Sequence, residues 1–125
     1  MAIEVLLYIS SIIIFIWGIA HLIPTKSIVD GFGEISTDNK RIITMEWIAA
    51  GISICFIGII GFMMTYFGYS TDIVGILIFR LLAVMLFVLA TVSLFTGART
   101  AILPNKICPI IMIFVGLLFL IGTSL

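Results

Sequence analysis

A single carboxylate in this sequence lies inside a long apolar segment, where an acidic side chain is unexpected. Residues 42–67 carry one formal charge, that of Glu46, about one helical turn from the start of the segment. An ionisable side chain in such a segment is energetically costly, so it usually faces a partner or a cavity and marks a functional site. Glu46 is therefore the first candidate binding residue.

Two more polar residues are expected at the same level as Glu46. His21 lies near the end of the first apolar segment, and Arg99 lies just beyond the third. One interpretation is a network of the three side chains that fixes the register of the helices. The alternative is a small polar binding site for a lipid headgroup, an anion or a proton, with Glu46 as the group that takes up the proton. The residue types alone leave both interpretations open.

A fourth candidate binding residue, Arg80, lies inside the third apolar segment. With a rise of about 1.5 Å per residue, it lies about 10 Å below the opposite membrane surface. In a hydrocarbon core of about 30 Å, this leaves roughly 14 Å between Arg80 and Glu46, so a direct pair requires long side chains and offset helices. If Arg80 does not pair with Glu46, one alternative is that its side chain extends to the nearer membrane surface, toward Asp72 or Glu4. The other alternative is that it lines a cavity open to the leaflet on that side of the membrane.

The remaining polar residues do not favour catalysis or metal binding. The serines and threonines of the apolar segments share no level with a histidine and an acid, as a nucleophilic triad requires. His21 is the single histidine, and Cys55 and Cys108 do not form a C-x-x-C motif. A zinc site, a pair of haem-ligating histidines and thioredoxin-type redox chemistry therefore have no basis. We expect no enzymatic activity, no catalytic residues, no metal and no cofactor.

The composition indicates a membrane environment. The chain has 125 residues, of which 63% are hydrophobic and only 10% are charged. A soluble domain carries about a quarter charged residues, so this chain has too little polar surface to cover a globule in water. The formal net charge is zero, which argues against a basic nucleic-acid-binding protein.

Four apolar segments are long enough to cross a bilayer, since roughly 20 helical residues span the hydrocarbon core. They cover approximately residues 5–23, 42–67, 73–95 and 107–123. Pro24 ends the first segment, and Pro109 is expected in the first turn of the fourth, where proline is tolerated. The turn between the second and third segments is short enough for a tight antiparallel hairpin. The sequence predicts an all-α integral membrane four-helix bundle, antiparallel and up-down-up-down, as one transmembrane domain over residues 1–125.

The polar connection of residues 24–41 has two interpretations. Ile28, Phe32 and Ile35 lie at i, i+4 and i+7, a spacing typical of a short amphipathic helix on the membrane surface. The alternative is an irregular loop, which Gly31 and Gly33 favour.

Small residues recur every seven positions along the apolar segments, and this spacing suits close packing of antiparallel helices. Lipid supplies little hydrophobic driving force between helices, so small residues and polar contacts decide their association. The residues concerned are Ser11 and Gly18, Gly51 and Gly58, and then Ala83, Ala90 and Gly97.

The segment GIAHLIPTKSIVDGFGEI, followed by RIITMEWIAAG, resembles the broad group of small four-helix prokaryotic membrane proteins that includes the DoxX-like family. The resemblance is one of size and architecture over the whole chain, and it assigns no site residue. Some members of this group are associated with quinol oxidases or thiol-redox stress systems. The resemblance therefore implies an accessory role in membrane redox chemistry. The lack of paired cysteines argues against a role in a thiol-redox system.

Three functions are compatible with these features. The first is an accessory or scaffold protein with an intramembrane polar site for a lipid or a hydrophobic small molecule. The second is an oligomeric pathway for a small ion or a proton through Glu46 and Arg80, and the third is a quinone-linked redox subunit. Membrane lipids are the expected partners, with a homo-oligomer or a larger membrane-protein complex as alternatives.

The basic residues of the connections predict the orientation in the cell (inner) membrane. Five of the six Lys and Arg residues lie in residues 24–41 and 96–106, and the opposite side has none outside the apolar segments. Because Lys and Arg accumulate in cytoplasmic loops, these two connections are expected in the cytoplasm and both termini outside.

This orientation is testable by cysteine labelling in a variant without the two natural cysteines. We expect Ser27→Cys to react with a membrane-impermeant maleimide only after the cells are opened, and Thr71→Cys to react in intact cells. The reverse pattern would contradict the predicted orientation.

Overall fold

The computed structural model describes residues 2–124, and all regular elements within them are helical. The five α-helices are α1 (Ala2–Leu22), α2 (Thr25–Asp30), α3 (Thr37–Tyr66), α4 (Ile73–Phe95) and α5 (Leu103–Ser124). Two short 3₁₀ turns, Tyr69–Thr71 and Gly97–Arg99, precede and follow α4.

Helices α1, α3, α4 and α5 are long and apolar enough to cross a membrane. The four predicted helices are therefore confirmed, and their length and composition indicate a small multi-pass membrane protein.

Helices α1, α3 and α5 begin earlier than the hydropathy predicts, at residues 2, 37 and 103 instead of 5, 42 and 107. Helix α3 begins at Thr37 because the Ser36 side chain caps it, accepting a hydrogen bond of 3.1 Å from the backbone N–H of Asn39. Helix α5 begins at Leu103, so Pro109 lies beyond its first turn and is buried. The proline of the first turn is Pro104, where the missing N–H costs no helical hydrogen bond.

The connection between α1 and α3 contains a short helix, but not the predicted apolar face. Helix α2 ends at Asp30, so Ile28, Phe32 and Ile35 do not lie on one continuous helix. The buried residue of α2 is Val29, which is 3% exposed. An ion pair of 3.5 Å between Lys40 Nζ and Asp30 Oδ1 links the end of α2 to the first turn of α3.

Helices α1 and α3 form a close antiparallel pair. From one end of the pair to the other, the contacting residues are Tyr8 with Phe62, Ser11 with Gly58, Gly18 with Cys55, and His21 with Trp47. A Cβ on Gly18 would lie 2.7 Å from the backbone N of Cys55, and one on Gly58 would lie 2.7 Å from the carbonyl oxygen of Ser11. Both distances are too short for a side chain, so the two backbones approach this closely only because glycine occupies these positions.

The second close pair consists of α4 and α5, and α5 also packs against α1. The rings of Phe79 and Phe119 meet edge to face across α4 and α5, with centroids 5.2 Å apart. The shared core contains fully buried side chains from all four long helices, namely Leu7, Ile14, Ile54, Phe79, Leu86, Val115 and Phe119. Direct contacts between α3 and α4 are few, so the bundle is loosest on the side between these two helices.

The glycine contact between α1 and α3 predicts a sharp size limit at Gly58. We expect Gly58→Leu to lower the free energy of unfolding by about 3 kcal/mol, because the new side chain meets backbone atoms of α1. The matched control is Ala49→Leu at an exposed position of the same helix, which should change stability by less than about 0.5 kcal/mol. Denaturation by dodecyl sulfate in mixed micelles measures both, and equal stabilities would contradict the packing role of Gly58.

Candidate functional site

A cavity of about 380 Å³ lies between α3 and α4, with α5 completing its lining. It occupies the side of the bundle on which the two helices make few direct contacts. Its lining is mainly apolar, and its polar side chains are His21, Glu46, Ser93, Thr96 and Asn105.

The polar side chains of the lining lie toward one end of the cavity, together with some apolar ones, and the other end is apolar. Glu46, Thr96 and Asn105 are close to the connections of residues 24–41 and 96–106. Ile54, Leu89 and Met112 line the deeper end. Along α3, Glu46 and Ile54 are separated by about 12 Å of helix. The cavity therefore offers a polar end and an apolar end to whatever occupies it.

The cavity exists because one face of α3 is packed in only half of the bundle. Ile54, Ile57 and Gly61 are buried and follow one another at helical spacing. The same face continues toward the start of the helix through Ala50 and Glu46, which line the cavity instead of a packed core. The inward face of α3 thus changes from tightly packed to open along its length.

Glu46 is exposed within this open half of the bundle. Among residues 2–124, the one ion pair within 4.0 Å joins Lys40 and Asp30, so Glu46 has no cationic partner in the described chain. It is also the sole charged side chain among the described residues that line the cavity.

The end of α1 is attached to α3 through His21 and Trp47. The two rings stack with centroids 4.0 Å apart and planes 14° apart. The indole N–H of Trp47 donates a hydrogen bond of 2.8 Å to the backbone carbonyl of His21. The Nε2 atom of His21 is buried and has no hydrogen-bond partner within residues 2–124. This contact joins α1 to α3 at the position of the register-fixing network that was one of the two sequence-based interpretations, but it pairs His21 with Trp47 instead of Glu46 and Arg99.

A second cavity, of about 300 Å³, lies on the other side of these residues, next to α2 and the start of α5. His21, Trp47, Asn105 and Cys108 line both cavities. We call these four residues the partition. Within the partition, the Sγ atom of Cys108 accepts a hydrogen bond of 3.2 Å from the indole N–H of Trp17.

The two arginines predicted as binding residues lie outside the cavity between α3 and α4. Arg99 belongs to the 3₁₀ turn after α4, and its guanidinium carbon lies 5.6 Å from the ring centroid of Phe95. Arg80 is exposed on α4 beside Ile73 and Leu77, toward the opposite end of the helix. Of the four residues predicted from the sequence, His21 and Glu46 line one cavity, whereas Arg80 and Arg99 are not part of it.

Sequence reasoning did not identify Ser93, Thr96, Asn105 or Trp47 as lining residues. A signal was present at the end of α4, where Ser93 and the C-cap residue Thr96 lie three residues apart, the spacing of neighbours on one helix face. Asn105 gave no signal, because its position depends on α5 beginning before the predicted boundary.

Comparisons of the chain with known protein families, with curated proteins and with solved structures find no match.

The hydrogen bond from Trp47 predicts unequal effects of two similar substitutions. Trp47→Phe and Trp17→Phe remove the same atoms, but Trp47 loses a bond to a carbonyl and Trp17 loses one to a sulfur, which is a weak acceptor. We expect Trp47→Phe to cost about 1 kcal/mol more of the free energy of unfolding than Trp17→Phe. Dodecyl sulfate titrations in mixed micelles measure the difference, and equal costs would argue against this contact as a register-fixing element.

Proposed function

We propose that this chain is an accessory or scaffold protein of the cell membrane that binds a lipid or a hydrophobic small molecule in the cavity between α3 and α4. In this proposal α1, α3, α4 and α5 cross the membrane up-down-up-down, with both termini outside. The protein has no catalytic activity of its own and acts as a homo-oligomer or within a larger membrane-protein complex.

The observation that carries the proposal is the cavity with its polar and apolar ends. Its volume of about 380 Å³ lies in the range of small-molecule sites, which hold roughly 300–1,000 Å³. Such sites combine mostly apolar walls with a few polar groups that orient the ligand. The lining of this cavity has the same composition.

The distribution of polar groups supports one orientation of an amphiphilic ligand. Its head group would contact Glu46, Thr96 and Asn105 near the connections, and its apolar part would contact Ile54 and Leu89 at the deeper end. This orientation matches that of a bilayer lipid, whose head group lies at the surface and whose chain points toward the membrane centre.

The loose contact between α3 and α4 supports entry from the side. A ligand that partitions into the bilayer can pass between two helices that pack weakly, without crossing an aqueous mouth. Packing between membrane helices depends on close contact, so the weakly packed side is where lipid or a ligand most readily replaces a neighbouring helix.

Binding is testable with an uncharged amphiphile that quenches tryptophan. The probe is 6-bromododecan-1-ol, which carries bromine near its head group and therefore near Trp47, and it is added to the protein in phosphatidylcholine nanodiscs. A Trp17→Phe background leaves Trp47, which lines the cavity, as the single tryptophan. We expect saturable quenching of Trp47 fluorescence.

Two substitutions at neighbouring positions provide the control. Ala50 lines the cavity and Ala49 does not, so Ala50→Phe should weaken binding at least about tenfold by filling the site, which corresponds to about 1.4 kcal/mol, while Ala49→Phe should leave it unchanged. Quenching that never saturates, or that both variants reduce equally, would exclude this cavity as the binding site.

A further inference from the structure

We infer that the head group held in this cavity is a protonated amine, so that the ligand class is an amphiphilic monocation. This inference rests on the proposed function and adds the charge of the ligand to it. It reverses the sequence-based alternative of an anion site, which depended on Arg99 joining His21 and Glu46.

The charge of the lining carries the inference. Within the described chain, Glu46 is the one charged residue that lines the cavity, and it has no ion-pair partner. None of the basic residues at this end of the molecule lines the cavity. Arg99 lies over the ring of Phe95, Lys40 pairs with Asp30, and Lys26, Arg41 and Lys106 are outside the lining. A carboxylate beside apolar walls is stabilised by a cation more strongly than it would be in water, because the local dielectric constant is lower.

The other polar atoms at the same end also suit a hydrogen-bond donor. The hydroxyl of Thr96 donates to the backbone carbonyl of Val92 at 2.7 Å, which leaves its oxygen as an acceptor. The side-chain Nδ2 of Asn105 donates to Thr100 Oγ1 at 3.5 Å, which leaves Asn105 Oδ1 as an acceptor. An ammonium group carries only donors, so it complements a carboxylate, a hydroxyl oxygen and an amide oxygen together.

An aromatic ring next to the carboxylate strengthens the preference for a cation. Trp47 also lines the cavity, with one face of its indole ring covered by the ring of His21, and an uncovered indole face attracts ammonium groups within about 6 Å of its centre. An anionic head group would gain nothing from the ring and would be repelled by the carboxylate.

The test compares three probes that share one twelve-carbon chain with bromine on the sixth carbon, near the head group and Trp47, and differ in the head group, namely 6-bromododecylammonium, 6-bromododecan-1-ol and 6-bromododecanoate. Quenching of Trp47 fluorescence is measured in phosphatidylcholine nanodiscs in the Trp17→Phe background at neutral pH. We expect the ammonium probe to bind about tenfold more tightly than the alcohol, and the carboxylate probe to bind more weakly than the alcohol.

Two charge-neutralising substitutions distinguish an effect of the carboxylate in the cavity from an effect of the overall charge of the protein surface. Glu46→Gln should remove the preference for the ammonium probe, and saturable quenching by the alcohol probe in this variant shows that it is folded. Glu34→Gln changes the same charge in the connection before α3, outside the cavity, and should leave the preference intact.

Each of the remaining outcomes contradicts the cation inference, and one of them also contradicts the proposed function. Equal binding of the ammonium and alcohol probes, or a preference that survives Glu46→Gln, overturns the cation inference while the proposed function stands. Tighter binding of the carboxylate probe overturns it in favour of an anionic amphiphile held by the basic residues of the connections 24–41 and 96–106. If none of the three probes quenches saturably, the cation inference and the proposed function both fail.

Discussion

The close approach of α1 and α3 is the contact on which the rest of the bundle depends. In a bilayer the surrounding lipid is as apolar as the helices, so association requires tight fit rather than exclusion of water. Glycines at positions 18 and 58 permit that fit by letting the backbones touch. Helices α4 and α5 form a second pair, and α1 and α5 join the two pairs. The turn after α3 connects the pairs in sequence, but nothing in this arrangement draws α3 and α4 together over their whole length.

The candidate site follows from this unequal packing. Where α3 packs well, the interior is a dry core that includes Ile57 and Val115. Where α3 separates from α4, the same helix face borders a cavity, and a carboxylate occupies a position that would be untenable in the packed half. Both the space for a ligand and the tolerance for a charge therefore come from the same gap.

The elements of this fold are predictable from sequence, and the geometry between them is much less so. Hydropathy locates the four long helices because lipid-exposed and buried faces of a membrane helix are both apolar. It misplaces the start of α3 because the cap at Ser36 is a local hydrogen bond outside the apolar segment. The common level of His21 and Glu46, which line one cavity, is predictable from helix lengths. The direction of each side chain is not, and stacking on Phe95 takes Arg99 away from the cavity.

The partition of His21, Trp47, Asn105 and Cys108 has a mechanical consequence for the two spaces that it separates. Since the same side chains bound both, a displacement that enlarges one space reduces the other. A ligand bound in one cavity would therefore change the affinity of the other cavity for its own ligand. By thermodynamic linkage, the change in affinity is the same in both directions. The stacked rings of His21 and Trp47, which attach α1 to α3, would then be the contact that couples a displacement beside α2 to the shape of the cavity between α3 and α4.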